Sequence, residues 1–257
     1  MLPSFENLPE MSALASRFEQ RMSERVEHDL TDAHWAGFDE LFQYLKSTAE
    51  TFRDFETVAP IAGVIERLTK DFETALFSFL CGMDQAAFDA MRDAMEVGYL
   101  LRDFNLWPDR IAEWLSLTGK ERWNKFSPNA LRQRFANHTG VNVTDLLDSK
   151  EYGTHSAMLH VSPSDDGIVQ RGISTSTLPQ FGASASLADI LHHARDTVFL
   201  LHEMLVTFCD TDETVDVSTL VTSLPAAYEH TMKSFNSTLM WMDIGRALAG
   251  ARSDASS

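Results

Sequence analysis

A single all-α domain, a bundle of about eight helices with one short β-hairpin or flap near 165–180, is the fold this chain predicts. Three observations carry it. Apolar residues recur three and four apart over most of the length, cap and stop residues bracket those runs, and only 162–186 forms a long interval without helical period.

In order, residues 10–30 place Leu14, Phe18, Met22 and Val26 four apart on a charge-rich helix. Asp32 is the expected cap of a second helix, 33–57, with Trp35, Phe38, Leu41, Phe42, Leu45, Phe52 and Phe55 as its apolar set. Pro60 suits a first helical turn, so Ile61–Cys81 reads as a third helix, ended by Gly82. Asp84 is the expected cap of a fourth, which runs to Trp107 and stops at Pro108. A short helix 109–117 follows. Ser127 and Pro128 then open another that Gly140 closes.

Thr144 is expected to cap the next helix, and Ser186 the clearest amphipathic one, with Leu187, Ile190, Leu191, Ala194, Val198, Leu201, Leu205 and Phe208 along one line. Between them, Gly167–Thr177 is β-branched and Gly-bounded, the signal for the hairpin. A last helix is expected over 225–248 and a disordered tail over 250–257. No linker or repeat divides 1–249, which reads as one domain.

The chain has 257 residues, enough to bury a sizeable core. With 38 acidic and 21 basic residues its net charge is −17, which opposes wholesale binding to nucleic acid or anionic lipid. Cys81 and Cys209 sit in apolar helical segments and read as buried small hydrophobes rather than a disulfide. The opening MLPSFENLPEM has neither a basic n-region nor an apolar h-region, and no apolar run approaches the ~20 residues of a membrane span. The expectation is a cytoplasmic protein with no membrane partner.

Three polar constellations stand out. Tyr152, Ser156 and His160, four apart, form a row along one helical face; it suits a proton relay or a substrate contact, and equally amphipathic residues bonding across a helix interface. Arg92 and Glu96 are also four apart, in company with Asp89, Asp93 and Asp103, on what reads as the solvated side of the fourth helix. Lys120, Arg122, Lys125, Arg132 and Arg134 put five cations against one anion, interleaved with Trp123, Phe126 and Phe135. Beside the helix N-terminus at Ser127, that patch is the candidate anion site, unless it pairs with acidic segments of the same chain such as Asp210–Asp216. No His-Glu-x-x-His, Glu-x-x-His, Cys pair, Walker loop or Gly-x-Ser-x-Gly elbow occurs, so neither metal nor cofactor is implied.

Together, Arg92-x-x-x-Glu96, Ser127-Pro-Asn-Ala-Leu-Arg132 and Tyr152-x-x-x-Ser156-x-x-x-His160-x-Ser162-Pro163 resemble an uncharacterised bacterial all-helical family, a domain of unknown function sometimes grouped with HEPN-like (higher eukaryotes and prokaryotes nucleotide-binding) bundles. The resemblance spans roughly 60–200 and implies that Arg92, Glu96, Tyr152, Ser156 and His160 converge on one pocket. It implies no established reaction. HEPN ribonucleases carry an Arg-x(4–6)-His element, which Arg195…His202 fits; with 15 arginines and nine histidines, Arg21…His28 and Arg132…His138 fit too.

The expected function is an interaction or small-anion-sensing module whose partner is a small anionic ligand or another protein, with a homodimer compatible and nucleic acid disfavoured. The rival is a metal-independent, HEPN-like ribonuclease or nucleotidyl-acting enzyme in a stress or phage-defence setting. It would use His202 or His160 as general base and Arg195 or Arg92 to stabilise phosphate charge.

Overall fold

Helix α1, Pro9–His28, half-buries Leu14, Phe18 and Met22, but its line does not continue to Val26, which is 41% exposed. Arg25 takes the buried place instead. Its guanidinium donates to both carboxylate oxygens of Asp84, at 3.2 and 3.0 Å, and to Asp29 at 3.2 Å, and lies 4.9 Å over the Phe79 ring. In this computed structural model the described residues are 9–143, 161–163, 169–171, 179–209 and 221–233.

Helix α2 is Asp32–Arg53. Thr31, not Asp32, is its N-cap: the His34 ring closes back on Thr31, Nδ1 accepting from the Thr31 amide at 3.0 Å. Phe38, Leu41, Leu45 and Phe52 are buried as the period requires, whereas Trp35 and Phe55 are 40% and 38% exposed. Helix α3, Ala59–Leu80, starts with Pro60 in its first turn. Gly82, at φ +71°, ends it in the left-handed conformation that a side chain resists.

Helix α4, Asp84–Leu106, is not capped by Asp84. That carboxylate is withdrawn into the Arg25 pair and also accepts from the Ser186 hydroxyl at 2.8 Å. Helix α5 is Arg110–Ser116 and helix α6 Gly119–Phe126. The latter is not expected from the sequence, because its apolar positions, Trp123 and Phe126, are too few to set a period. Helix α7, Pro128–Thr139, begins as expected, with the Ser127 hydroxyl accepting from the Ala130 amide at 3.4 Å, and ends at Gly140, φ +71°.

Helix α8, Pro179–Cys209, starts seven residues before its expected cap: Ser186 is inside the helix and buried, spent on Asp84. Residues 223–233 form a further helical segment, and Val161–Pro163 pairs antiparallel with Val169–Arg171 as two three-residue strands. Most of the flap expected at 165–180, the expected Thr144 helix, much of the 225–248 helix and the 250–257 tail lie outside the described residues.

The architecture is all-α. Helix α3 packs between α2 and α4, and α8 lies along α4 with contacts to α2 and α3. One buried cluster runs through these helices, built on fully buried side chains such as Phe52, Phe72, Phe79, Phe104, Leu68 and Leu101. Each such side chain contributes roughly 1.5–3 kcal/mol of burial. The Ser186 hydrogen bond ties the first residue of α4 to α8 at a point inside that helix, and farther along Ala94–Arg102 lie against His193–Leu200, so the two helices run in the same direction. No described helix is long and apolar enough to cross a membrane.

Segment 223–233 is held on α2 by three devices. Glu40 accepts from the Ser223 amide at 2.7 Å and from the hydroxyls of Ser223 and Thr222 at 2.9 and 3.0 Å, capping the segment's free N–H end. His34 Nε2 meets the Thr231 hydroxyl at 2.7 Å. Gly37 lets the backbones close in: a Cβ there would lie 3.1 Å from the Leu224 Cα.

Candidate anion-binding corner

At the far end of α4 the chain does something its sequence conceals. Asp103 reads as part of the solvated stripe with Asp89, Arg92, Asp93 and Glu96, yet it is 0% exposed. The stripe is graded along the helix: Asp89 and Asp93 are exposed, Arg92 and Glu96 half-buried, Asp103 sealed. The sequence could not show this because the neighbours that cover Asp103 come from α5 and α7, which fold back over the end of α4.

Those neighbours are cationic. Arg110 Nε donates to Asp103 Oδ2 at 2.6 Å, and Arg134 Nη1 donates to Oδ1. Arg110 Nη1 also reaches Glu113 at 2.8 Å, and Arg134 Nη2 donates to the Lys125 carbonyl at 3.0 Å. Lys125 Nζ completes the set on Glu113 at 2.5 Å. The Lys125 hydrogen bond, with the charges of Arg110, Lys125 and Arg134 behind it, holds the Glu113 carboxyl below the usual glutamate range. Both guanidiniums lie over the buried Phe126 ring, at 4.5 and 5.9 Å. Cation–π contact and shared carboxylate thus fix the two planes beside each other.

An open cleft of about 400 Å³ borders this cluster, lined by Trp107, Arg110, Arg134, Asn137 and His138. Trp107 stacks on Phe135, with centroids 6.1 Å apart and planes 21° apart. His138 stands edge-on to Trp107 at 5.1 Å and 81°, so the two rings form a right-angled wall. Each guanidinium has five N–H groups. The named hydrogen bonds engage two nitrogens of each, and Arg110 Nη2 is buried with no acceptor among the described residues. A buried donor left in this state costs roughly 1–3 kcal/mol.

The sequence-derived anion patch is therefore split. Arg134 lines the cleft, while Lys125 is committed to Glu113. Arg122 lies 5.1 Å over Trp114. Lys120 is exposed on α6, and Arg132, on α7, is half-buried and has partners of its own. The acids that answer the patch within the described residues are Asp103 and Glu113; Asp210–Asp216 lies outside them. The sequence nominates neither Arg110 nor Trp107 nor His138 for this corner, because their signal is weak: a Trp-Pro stop followed closely by Arg, and a histidine in the last turn of a helix.

Arg92 and Glu96 pair at 3.7 Å with side chains 28% and 26% exposed, and each takes part in further interactions. This is neither a solvated face nor a sealed network. Tyr152, Ser156 and His160 lie outside the described residues, so their convergence with Arg92 and Glu96 stays an expectation.

The Arg195…His202 pair is divided. The Arg195 guanidinium lies 4.5 Å over Tyr228, 3.5 Å from Asp196 and 37% exposed. His202 is only 7% exposed, and its Nδ1 has no hydrogen-bond partner among the described residues. A second, smaller cleft of about 50 Å³ lies between α4 and α8, bordered by Gly98, Tyr99, Arg102, His193, Asp196 and Thr197 among others. Among the described residues no three His, Cys, Asp or Glu side chains gather as a metal site.

No family model matches this chain, and neither a curated protein nor a solved structure does.

Proposed function

We propose that this chain is a cytoplasmic, ligand-sensing helical module that binds a small anion at the α4–α5–α7 corner. The observation that carries the reading is the pair of guanidiniums clamped on one sealed carboxylate beside an open cleft. Three cations, Arg110, Lys125 and Arg134, meet two carboxylates there, Asp103 and Glu113, so the cluster keeps a positive excess within a −17 chain. Its fixed geometry lowers the entropy cost of engaging an oxyanion, and guanidinium donors suit phosphate or carboxylate. Ligand binding that ties α4, α5 and α7 together would stabilise the native state by mass action.

The test is thermal unfolding with rising inorganic phosphate at constant ionic strength, on the wild type and on His138→Ala and Arg134→Lys. His138 touches neither Asp103 nor Glu113 in any named contact, so its loss tests the cleft without stripping the ion cluster. Saturable stabilisation in the wild type, weakened in both variants, supports the reading. Equal response in all three would place the anion elsewhere.

The ribonuclease rival has the burial of His202 against it, since a general base must reach the hydroxyl it deprotonates. Total RNA incubated with the wild type, His202→Ala and His160→Ala decides the matter. Cleavage lost in either variant would restore the rival.

A further inference from the structure

The corner offers more than charge, and what it offers narrows the ligand. A bare oxyanion needs donors and a few ångströms of space. The cleft measures about 400 Å³, within the roughly 300–1,000 Å³ range of small-molecule pockets. Two of its five lining residues are rings set at right angles, Trp107 and His138, and the cationic side is Arg110 and Arg134. An aromatic wall facing a guanidinium pair is complementary to a flat ring carrying an anionic group.

From this juxtaposition, and resting on the anion reading above, we infer that the corner takes a planar aromatic ring bearing a phosphate. The ring lies against the Trp107–His138 wall and the phosphate against Arg110 and Arg134. Trp107 is suited to the role because Phe135 already stacks on it and fixes its plane before any ligand arrives. Arg110 is suited because it lines the cleft with its guanidinium plane already held by Asp103, Glu113 and the Phe126 ring. Asn137, on the exposed last turn of α7, supplies a side-chain amide at the rim. The sealed Asp103 and the Glu113–Lys125 bridge are positioning groups: they hold the guanidiniums and stay out of ligand contact.

Three probes separate the parts of this claim by calorimetric titration of the full chain: inorganic phosphate, phenyl phosphate and phenol. Ring stacking predicts that phenyl phosphate binds about tenfold tighter than inorganic phosphate, with phenol weaker than either. His138→Ala should weaken phenyl phosphate more than inorganic phosphate and so shrink that tenfold excess, whereas Arg134→Lys should weaken both phosphates alike. Because replacing Trp107 disturbs its packing on Phe135, Trp107→Phe is used with a chemical-shift readout at Phe135 to confirm that the wall is intact. Equal affinity for the two phosphates would overturn the aromatic inference and leave the anion reading standing. Failure of both phosphates to bind would overturn both.

Discussion

Two polar clusters in this molecule are built on opposite principles. At the seam between α2 and 223–233, His34 is 0% exposed and both ring nitrogens are engaged, one by Thr31 and the other by Thr231. It is neutral and closed. Burial, assisted by the nearby His230, drops its pKa to about 4. At the α4–α5–α7 corner, Asp103 is equally sealed, but the groups that answer it are charged, half-exposed and in excess, and they border open space. The comparison teaches a criterion: a cluster whose donors and acceptors are all matched specifies packing, and one with donors to spare can receive a ligand. By that criterion the seam is structural and the corner is the candidate site.

The hardest way to break the comparison is to remove the sealed acid. Asp103→Ala leaves two guanidiniums facing each other without their carboxylate, and the fold should lose about 3–5 kcal/mol. Urea unfolding at neutral pH measures it. A loss below about 1 kcal/mol would show that the guanidiniums rehydrate freely and that no fixed cluster exists to pre-organise a ligand.

The seam is broken by acid. Above pH 6.5 the imidazole is neutral in both native and unfolded chains. As pH falls from 6.5 to about 4 the unfolded chain takes up a proton that native His34 refuses, and stability drops by about 3 kcal/mol. A second group opposes this slope. Asp71 on α3, largely buried, has its pKa raised to about 6 by desolvation, with Arg67 only partly offsetting it. Between about pH 4 and 6 native Asp71 keeps a proton that the unfolded chain has lost, so its contribution falls as pH rises, by about 2 kcal/mol after allowing for residual exposure. The wild-type profile should therefore be flatter over this window than that of Asp71→Asn, which leaves the His34 slope bare. Unfolding free energies taken at half-unit steps of pH give both curves. A steeper wild type would contradict the assignment.

The smallest effect sharpens the seam. Gly37→Ala adds helix propensity but drives a Cβ to 3.1 Å from the Leu224 backbone, and the net cost should be about 1 kcal/mol. A stabilised variant would mean that 223–233 shifts away easily and that the seam is not a rigid reference for the corner.

How much of this was legible in the chain follows from what periodicity can and cannot encode. The all-α class was readable because Phe38, Leu41, Leu45 and Phe52 repeat on one face, and because Ser127-Pro128 and Gly140 are local signals acting on their own backbone. Ser186 and Asp84 misled because a capping residue and a buried hydrogen-bonding residue look alike until a third element, here Arg25 on α1, is known to arrive. Asp103 misled for the same reason. Its helical side is shared with the exposed Asp89 and Asp93, and only the return of α5 and α7 separates sealed from solvated. Of the anion patch, residue type was readable and commitment was not: no spacing rule says that Lys125 is spent on Glu113 while Arg134 borders a cleft.

The most direct test of the corner as a receiving site is a phosphate titration of the full chain followed at the Trp107 indole and the His138 ring by nuclear magnetic resonance. Saturable shifts at those two rings, with His34 and Thr231 silent, are what spare donors beside an open cleft predict. Shifts that never saturate, or that spread evenly over the surface, would mean that the guanidiniums of Arg110 and Arg134 are as fully spoken for as His34.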